Sequence, residues 1–171
     1  PGMAFGTGSH HTTRMCLEML ERHLRPGDTI LDLGCGSGIL SIAGILLGAA
    51  HAIGVDIDPV AERIAGENAA LNGVQVDRYT VLCGDVLTDA SLVNQLAQST
   101  YDVVVANIVA DVIIGLCPVV PRFLKADGLF IMSGIIKERL ADVLQALDAQ
   151  GFQVLSVQEG EDWRAILAKR A

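Results

Sequence analysis

The sequence predicts an α/β fold, doubly wound around a mostly parallel seven-stranded sheet that ends in an antiparallel strand pair at the C-terminus. Three observations carry this prediction. Short apolar segments alternate with helical segments from end to end, which is typical of strand–helix–strand units. A glycine-rich turn joins the first strand to the first buried helix. The last two strands are separated by only a short polar turn, and such a turn joins antiparallel neighbours.

The predicted elements follow one another as in a single domain, without a linker or a break in composition. The strands are expected at residues 29–33, 52–56, 79–83, 101–106, 129–133, 153–158 and 164–168. After a loop and an amphipathic helix in residues 1–24, helices are expected at residues 39–47, 58–72, 91–96, 111–123 and 137–150. Asp58 caps the helix at 58–72, with Pro59 at its first position, and Pro118 and Pro121 must break or kink the helix at 111–123. Right-handed crossovers between the parallel strands make the expected fold Rossmann-like.

Composition narrows the class of protein and of partner. The chain has 171 residues, of which 51% are hydrophobic and 19% are charged, and its net charge is −8 at pH 7. Nucleic acids and anionic membranes are bound through clustered Lys and Arg, so an acidic chain argues against both and leaves a cationic partner open. The four cysteines show no metal or disulfide spacing, and no apolar run reaches about 18 residues. We expect a cytoplasmic monomer with reduced, mostly buried thiols, no metal and no membrane segment.

The first strand runs into a loop with glycines at alternate positions, Gly34, Gly36 and Gly38, preceded by Asp32. Glycines permit a tight turn and a close approach of a ligand to the backbone, and the helix behind them offers unpaired N–H groups. The dinucleotide fingerprint G-x-G-x-x-G would need its third glycine at residue 39, which is Ile39. The spacing therefore favours a cofactor without a pyrophosphate and makes the acid and the three glycines candidate contacts. A plain tight turn is the alternative.

Two further acids follow the second and third strands. Asp56 ends the second strand, 22 residues after Gly34, and an acid at about this distance can accept both ribose hydroxyls of a nucleoside cofactor. Asp58 is explained as a helix cap and Asp56 is not, so we assign the ribose contact to Asp56, with Ile57 beside it in the cofactor site. Asp85 follows the third strand, where it can reach an adenine edge; a turn or a helix cap is the alternative.

The fourth strand, apolar and central, ends in the polar residue Asn107. Its amide carries both a carbonyl acceptor and an NH₂ donor, so it can hold a substrate amine and direct its lone pair. The alternative is an Asn that satisfies only local backbone groups. We take Asn107 as the candidate catalytic residue.

A hydroxyl-rich loop, residues 5–13, precedes the first helix and reads FGTGSHHTT. As a lid over the cofactor site it would contribute Phe5 and Thr13; the alternative is that a threonine only caps the following helix. The two histidines of the loop have no third ligand at a metal spacing, so no metal site is predicted.

Residues 32–38, Asp56 and Asp85 together resemble the pattern of class I S-adenosylmethionine-dependent methyltransferases. The chain more closely resembles one family among these, the bacterial methyltransferases of large-ribosomal-subunit protein eleven. The matching segments are residues 1–10, 12–13, 32–40, 54–59, 67–69, 72–74, 106–108 and 133–135, together with Trp163. These matches are spread along essentially the whole chain. Two positions depart from the family pattern, because His11 stands where Pro is usual and Asp111 where a small or apolar residue is usual.

The resemblance implies an enzyme that transfers methyl groups from S-adenosylmethionine to a basic ribosomal protein, at lysine ε-amines and the N-terminal α-amine. The family's cofactor contacts fall on Thr13, Gly34, Asp56 and Asn107. It also implies that the family's separate N-terminal substrate-recognition domain is absent before Pro1, so that residues 1–171 are the catalytic domain alone. Three alternatives stay open: a methyltransferase for another protein or small-molecule amine, a nicotinamide-dependent dehydrogenase, and a cofactor-binding module without catalysis.

Overall fold

The computed structural model describes residues 9–171, with side chains from His11 onward. Within this range the α-helices are α1 Ser9–His23, α2 Ile39–Leu46, α3 Ala61–Leu71, α4 Ala90–Leu96, α5 Ala110–Leu116 and α6 Leu140–Ala149. The strands are β1 Thr29–Leu33, β2 His51–Asp56, β3 Tyr79–Cys83, β4 Tyr101–Asn107, β5 Leu124–Ile136, β6 Phe152–Gly160 and β7 Trp163–Arg170. Short 3₁₀ turns occupy Val76–Arg78, Val120–Arg122 and Lys137–Arg139.

The seven strands form one sheet in the order β3-β2-β1-β4-β5-β7-β6. The first five in this order are parallel, and β7 runs antiparallel to both β5 and β6. The predicted fold class is therefore confirmed. The chain builds β2 and β3 on one side of β1 and then β4 and β5 on the other side. Strand order reverses between β1 and β4, and open α/β sheets bind their ligands outside the carboxyl ends of the strands at such a point.

Two apolar layers cover the faces of the sheet. Alternation along β1 sends Ile30 into one layer and Leu31 into the other, and both side chains are fully buried. The layer around Leu31 takes side chains from α4, α5 and α6 and includes Phe123 and Phe130. The layer around Ile30 takes side chains from α1, α2 and α3. Burying an aliphatic side chain of this size contributes about 1.5–3 kcal/mol, so the two layers hold the strand ends in a fixed arrangement.

Three helix predictions are wrong by three residues or more at a boundary, and one of them is the helix expected from residue 137, which begins at Leu140 after the 3₁₀ turn Lys137–Arg139. The helix expected over residues 111–123 ends at Leu116, and the chain then makes only a 3₁₀ turn at Val120–Arg122. Pro118 and Pro121 have no backbone N–H to continue an α-helix. The helix expected to start at Asp58 begins at Ala61. The Asp58 carboxylate instead accepts the backbone N–H of Val60 at 2.9 Å, inside the turn that precedes α3.

Strands at the C-terminal side of the sheet are longer than predicted. β5 begins at Leu124, five residues before the expected start, because Leu124 already pairs with Tyr101 of β4. β6 and β7 extend until only Glu161 and Asp162 separate them, and Glu161 turns the chain with a φ of 54°.

Surface and side-chain chemistry add three findings. All four cysteines are free thiols, and Cys16, Cys35 and Cys117 are buried whereas Cys83 is exposed, as the prediction of mostly buried thiols requires. In residues 9–171 no helix has the length and apolar character needed to cross a membrane. The same residues contain no group of three or more His, Cys, Asp and Glu side chains that could hold a metal ion.

Candidate active site

A cleft of about 480 Å³ opens at the carboxyl edge of the sheet, across the ends of β1, β2, β3 and β4. It lies where strand order reverses, as the topology leads one to expect. The predicted site residues that line it are Thr13, Asp32, Gly34, Gly36, Asp56, Ile57, Asp85 and Asn107. Phe5, also predicted, lies outside the described residues. The structure thus brings together side chains that are up to 94 positions apart in the chain.

The glycine loop has left-handed backbone geometry, which explains its residue type. Gly34 has a φ of 79°, and a Cβ added there would lie 2.7 Å from Cγ2 of Ile108. Gly36 has a φ of 52° and open space around its Cα, so a ligand can approach the backbone there. Gly38 differs from the prediction, because it does not line the cleft. It packs instead against the hydroxyl of Tyr79, 2.9 Å from the position of an added Cβ.

Asp32 is a buried carboxyl group beneath the loop, with 1% of its surface exposed. Its Oδ2 accepts the hydroxyl proton of Ser41 at 2.7 Å. Burial raises the pKa of Asp32 to about 6, although the Ser41 hydrogen bonds partly offset that effect. Asp32 lines the cleft and at the same time ties β1 to α2, so a part of its role is structural.

Asp56 makes two hydrogen bonds to the backbone of the site. Its Oδ2 accepts the N–H of Gly36 at 2.8 Å, and its Oδ1 accepts the N–H of Asp58 at 2.9 Å. The sequence argument that Asp56 lacks a structural explanation is therefore wrong. A carboxylate has about four acceptor positions, so these two bonds leave it able to accept further donors from the cleft. Ile57, next to it, is 71% exposed at the rim.

Asp85 at the end of β3 also has a local partner. Its Oδ1 accepts the backbone N–H of Leu87 at 2.9 Å, which is an Asx-type turn. The cap of α4 is a different acid, Asp89, whose side chain accepts the N–H of Leu92. The structure thus gives Asp85 a turn contact and a place in the cleft wall together.

Asn107 forms the opposite wall of the cleft, at the end of β4. Its Nδ2 donates to Oγ1 of Thr13 on α1 at 3.4 Å. Its Oδ1 is buried and has no hydrogen-bond partner among the described residues. A buried polar atom without a hydrogen-bond partner lowers the stability of the fold by about 1–3 kcal/mol. At a cleft, such an oxygen is a candidate acceptor for a hydrogen bond from a ligand.

Apolar residues that the sequence interpretation did not single out complete the cleft. They are Leu33, Cys35, Ile39, Leu40, Val55, Val86, Leu87, Ile108, Val112 and Leu116. Leu33, Val86 and Ile108 directly follow predicted site residues in the sequence. That position is the feature from which they could have been predicted. Burial raises the pKa of the Cys35 thiol far above its ordinary value, so that thiol stays protonated.

Comparison with known proteins decides the family. A family model described as "Ribosomal protein L11 methyltransferase (PrmA)" matches residues 1–171. The chain belongs to the ribosomal protein L11 methyltransferase family. A ribosomal protein L11 methyltransferase from Clostridium botulinum (strain Eklund 17B / Type B) is 47% identical over 169 residues, which are 99% of this chain and 51% of that protein. Another from Thermoanaerobacter pseudethanolicus is 46% identical over 170 residues, or 99% of this chain and 52% of that protein.

Solved structures agree with this assignment to the L11 methyltransferase family. The crystal structure of ribosomal protein L11 methylase from Lactobacillus delbrueckii subsp. bulgaricus matches 95% of this chain and 80% of that one, with 33% identity and a TM-score of 0.86. An RNA methyltransferase from Salinibacter ruber, in complex with S-adenosyl-L-homocysteine, matches 92% of this chain and 88% of that one. Its 20% identity and TM-score of 0.68 show the shared fold alone.

The family resemblance seen in the sequence is therefore confirmed. The chain spans about half the length of the curated L11 methyltransferases that it matches. Membership in this family leaves the nicotinamide-dependent dehydrogenase without support.

Proposed function

We propose that this chain is the catalytic domain of an S-adenosylmethionine-dependent protein N-methyltransferase whose substrate is ribosomal protein L11. The amines to be methylated are lysine ε-amines and the N-terminal α-amine. The observation that carries the proposal is the carbonyl oxygen of Asn107, which is buried at the cleft and unpartnered among the described residues. Family membership supports the choice of reaction and of substrate.

The residues of the cleft fit S-adenosylmethionine. The volume of the cleft, about 480 Å³, lies in the range usual for small-molecule sites. Asp56 would accept ribose hydroxyls with the acceptor positions that its two backbone bonds leave open. Ile57 and Asp85 would contact the adenine, and the open backbone at Gly36 would allow close approach. When bound, S-adenosylmethionine supplies a methyl group that its sulfonium sulfur already makes electrophilic.

Asn107 would act on the incoming amine. Its Oδ1 can accept an N–H of the amine, which directs the nitrogen lone pair and holds the amine in line for attack. A free lysine has a pKa of about 10.4 and is mostly charged near neutral pH. Transfer out of water favours the neutral amine, and the apolar wall formed by Ile108 and Val112 would contribute to this. Alignment is the main requirement, so no strong general base is assigned.

The charge of the chain supports a basic protein as the partner. The net charge is −8, and complementary charge speeds encounter and selects against acidic partners. We propose a monomer that works in the cytoplasm and does not bind nucleic acid directly. Because the relatives are about twice as long, we also propose that a further domain of the family recognises L11.

An Asn107 substitution tests the proposal. Asn107→Ala removes the carbonyl that would orient the amine, so we expect methyl transfer to L11 at saturating cofactor to fall about 100-fold. The affinity for S-adenosylmethionine should change much less than this. Methylated L11 is measured by mass spectrometry, both with this chain and with the chain extended to the family's full length.

Asn94→Ala is the matched control, because Asn94 is exposed on α4, away from the cleft, and its side-chain oxygen accepts a hydrogen bond from Arg122 at 3.0 Å. It should transfer methyl groups at the wild-type rate. If Asn107→Ala transfers methyl groups at the wild-type rate, Asn107 does not orient the substrate amine. Methylation of other amines, with L11 left unmodified by the full-length protein, would contradict the assigned substrate.

A further inference from the structure

Ser133 on β5 is a fully buried polar residue next to Asn107. The two residues are paired neighbours in the parallel register of β4 and β5. Ser133 makes two different hydrogen bonds at this place. Its backbone oxygen accepts the N–H of Ile108 at 3.1 Å, and its hydroxyl donates to the backbone oxygen of Thr12 on α1 at 2.9 Å.

These bonds close a ring of contacts around the Asn107 amide. Thr12 is followed by Thr13, whose Oγ1 accepts from Nδ2 of Asn107. Asn107 is followed by Ile108, whose N–H returns to Ser133. The Asn107–Thr13 contact is long at 3.4 Å, so it depends on how accurately α1 is held against the end of β4. The buried apolar side chains of α1 hold the helix on the sheet, and the Ser133 hydroxyl adds a hydrogen bond at the turn that carries Thr13.

The backbone at Ser133 is irregular in a way that serves this contact. The antiparallel pairing of β5 with β7 shifts register between Met132 and Ile135, which flank Ser133 and Gly134. Gly134 has a φ of 85°, and a Cβ added there would lie 2.6 Å from the backbone oxygen of Ile108. Irregularities of this kind beside active sites redirect a side chain. Here the glycine lets β5 approach Ile108 closely while the serine side chain reaches α1.

We propose that Ser133 is a positioning residue for methyl transfer. It fixes the first turns of α1 so that Thr13 holds Nδ2 of Asn107 and leaves Oδ1 facing the substrate amine. Without that anchor the amide can rotate by half a turn and present Nδ2, which cannot accept a hydrogen bond from the amine. This inference rests on the proposed function, because it concerns how the Asn107 amide is oriented for that reaction.

A double-mutant cycle with Thr13 tests the proposal in the full chain. Ser133→Ala and Thr13→Val should each lower kcat for L11 about ten-fold at saturating cofactor, because both release the same amide. The kcat of the double variant should also fall only about ten-fold, because the first substitution already removes the restraint on the amide that the second would remove. KM for L11 should stay within about two-fold in Ser133→Ala. Ser133→Cys, with a similar size and a weak donor, should give an intermediate kcat.

Thr29→Val is the control, because Thr29 loses a comparable hydroxyl bond to Asp102 at the opposite end of the sheet. It should keep the wild-type kcat. A double variant that falls about 100-fold shows independent effects and overturns the proposal, as does a kcat for Ser133→Ala equal to that of wild type.

The side-chain NH₂ resonances of Asn107, identified by their loss in Asn107→Ala, give a readout that needs no transfer. They should be sharp in wild type, and they should shift and broaden in Ser133→Ala but not in Thr29→Val. Unchanged resonances in Ser133→Ala would contradict the positioning role. Wild-type protein that leaves L11 unmethylated would refute the proposed function instead, and the resonances would still decide the role of Ser133.

Discussion

Gly34 allows a direct test of how the glycine loop packs against the end of β4. Gly34→Ala adds a Cβ at a φ of 79°, and that atom would lie 2.7 Å from Cγ2 of Ile108. Two costs follow. Left-handed backbone costs a residue with a Cβ about 1–2 kcal/mol. The overlap adds about 1–3 kcal/mol, because carbon atoms prefer separations of about 3.5–4.0 Å and Ile108 must move.

The expected loss in the free energy of unfolding for Gly34→Ala is therefore about 2–5 kcal/mol. For a chain of this size, each 1 kcal/mol lowers Tm by about 2–4 °C. Urea denaturation and calorimetry in the absence of cofactor measure both quantities. Gly73→Ala is the matched control, since Gly73 has a φ of 74° and nothing within 4 Å of an added Cβ. It should show the backbone cost alone.

Ile108→Ala in the Gly34→Ala background separates the two costs. It removes the Cγ2 atom that the new methyl group meets, so the double variant should be more stable than the sum of the single changes by about 0.5–3 kcal/mol. Equal destabilisation by Gly34→Ala and Gly73→Ala would refute the packing argument. Strict additivity with Ile108→Ala would refute it independently.

Two further predictions concern buried groups. Burial raises the pKa of folded Asp32 to about 6 from 3.8, so the folded state binds more protons than the unfolded state between these values and loses stability as pH rises through them. Asp32→Asn has no carboxyl group there and lacks this loss. The free energy of unfolding of the variant relative to wild type should therefore rise by about 3 kcal/mol from pH 4 to above pH 6, as measured by urea titrations. A pH-independent difference would contradict the burial argument. Native protein should react with one equivalent of a thiol reagent, at exposed Cys83, because the other three thiols are buried. Mass spectrometry of labelled Cys83→Ser should then show no rapid labelling.

The position of the site was predictable from the sequence for a simple reason. Asp32, Asp56, Asp85 and Asn107 each lie within two residues of the carboxyl end of a strand, and parallel strands bring their carboxyl ends to one edge. Alternation of apolar strands and helices predicted that the strands are parallel. A polar residue after an apolar strand was therefore enough to place all four in one cleft.

Contacts between distant segments could not be predicted in this way. Gly38 belongs to a glycine pattern in the sequence, yet its conformation is required by packing against Tyr79, 41 positions later. Asp56 accepts a hydrogen bond from Gly36, and only the folded loop brings the two together. The role inferred for Ser133 depends on its place opposite Asn107 and on its reach to α1. No local pattern encodes such pairs.

The helix boundaries show a second limit. Apolar periodicity continues past Leu116, but the last α-helical turn must end before the proline at 118. The two prolines predicted a break within residues 111–123 but did not indicate whether the segment before or after the break is helical. Burial alone could not decide it, because Val120 and Phe123 of the C-terminal half pack in the same apolar layer as Ile113 and Leu116.

Calorimetric titration of the cofactor tests the central claim most directly. We expect S-adenosylmethionine to bind wild-type chain with one site and NAD not to bind. Asp56→Asn should weaken S-adenosylmethionine binding ten-fold or more, because a charged acceptor contributes about 1.5–3 kcal/mol. Asp58→Asn, whose side chain contacts the nearby turn at Val60, should bind as wild type does. Binding of NAD in place of S-adenosylmethionine, or S-adenosylmethionine binding that Asp56→Asn leaves unchanged, would contradict the assignment of the cleft.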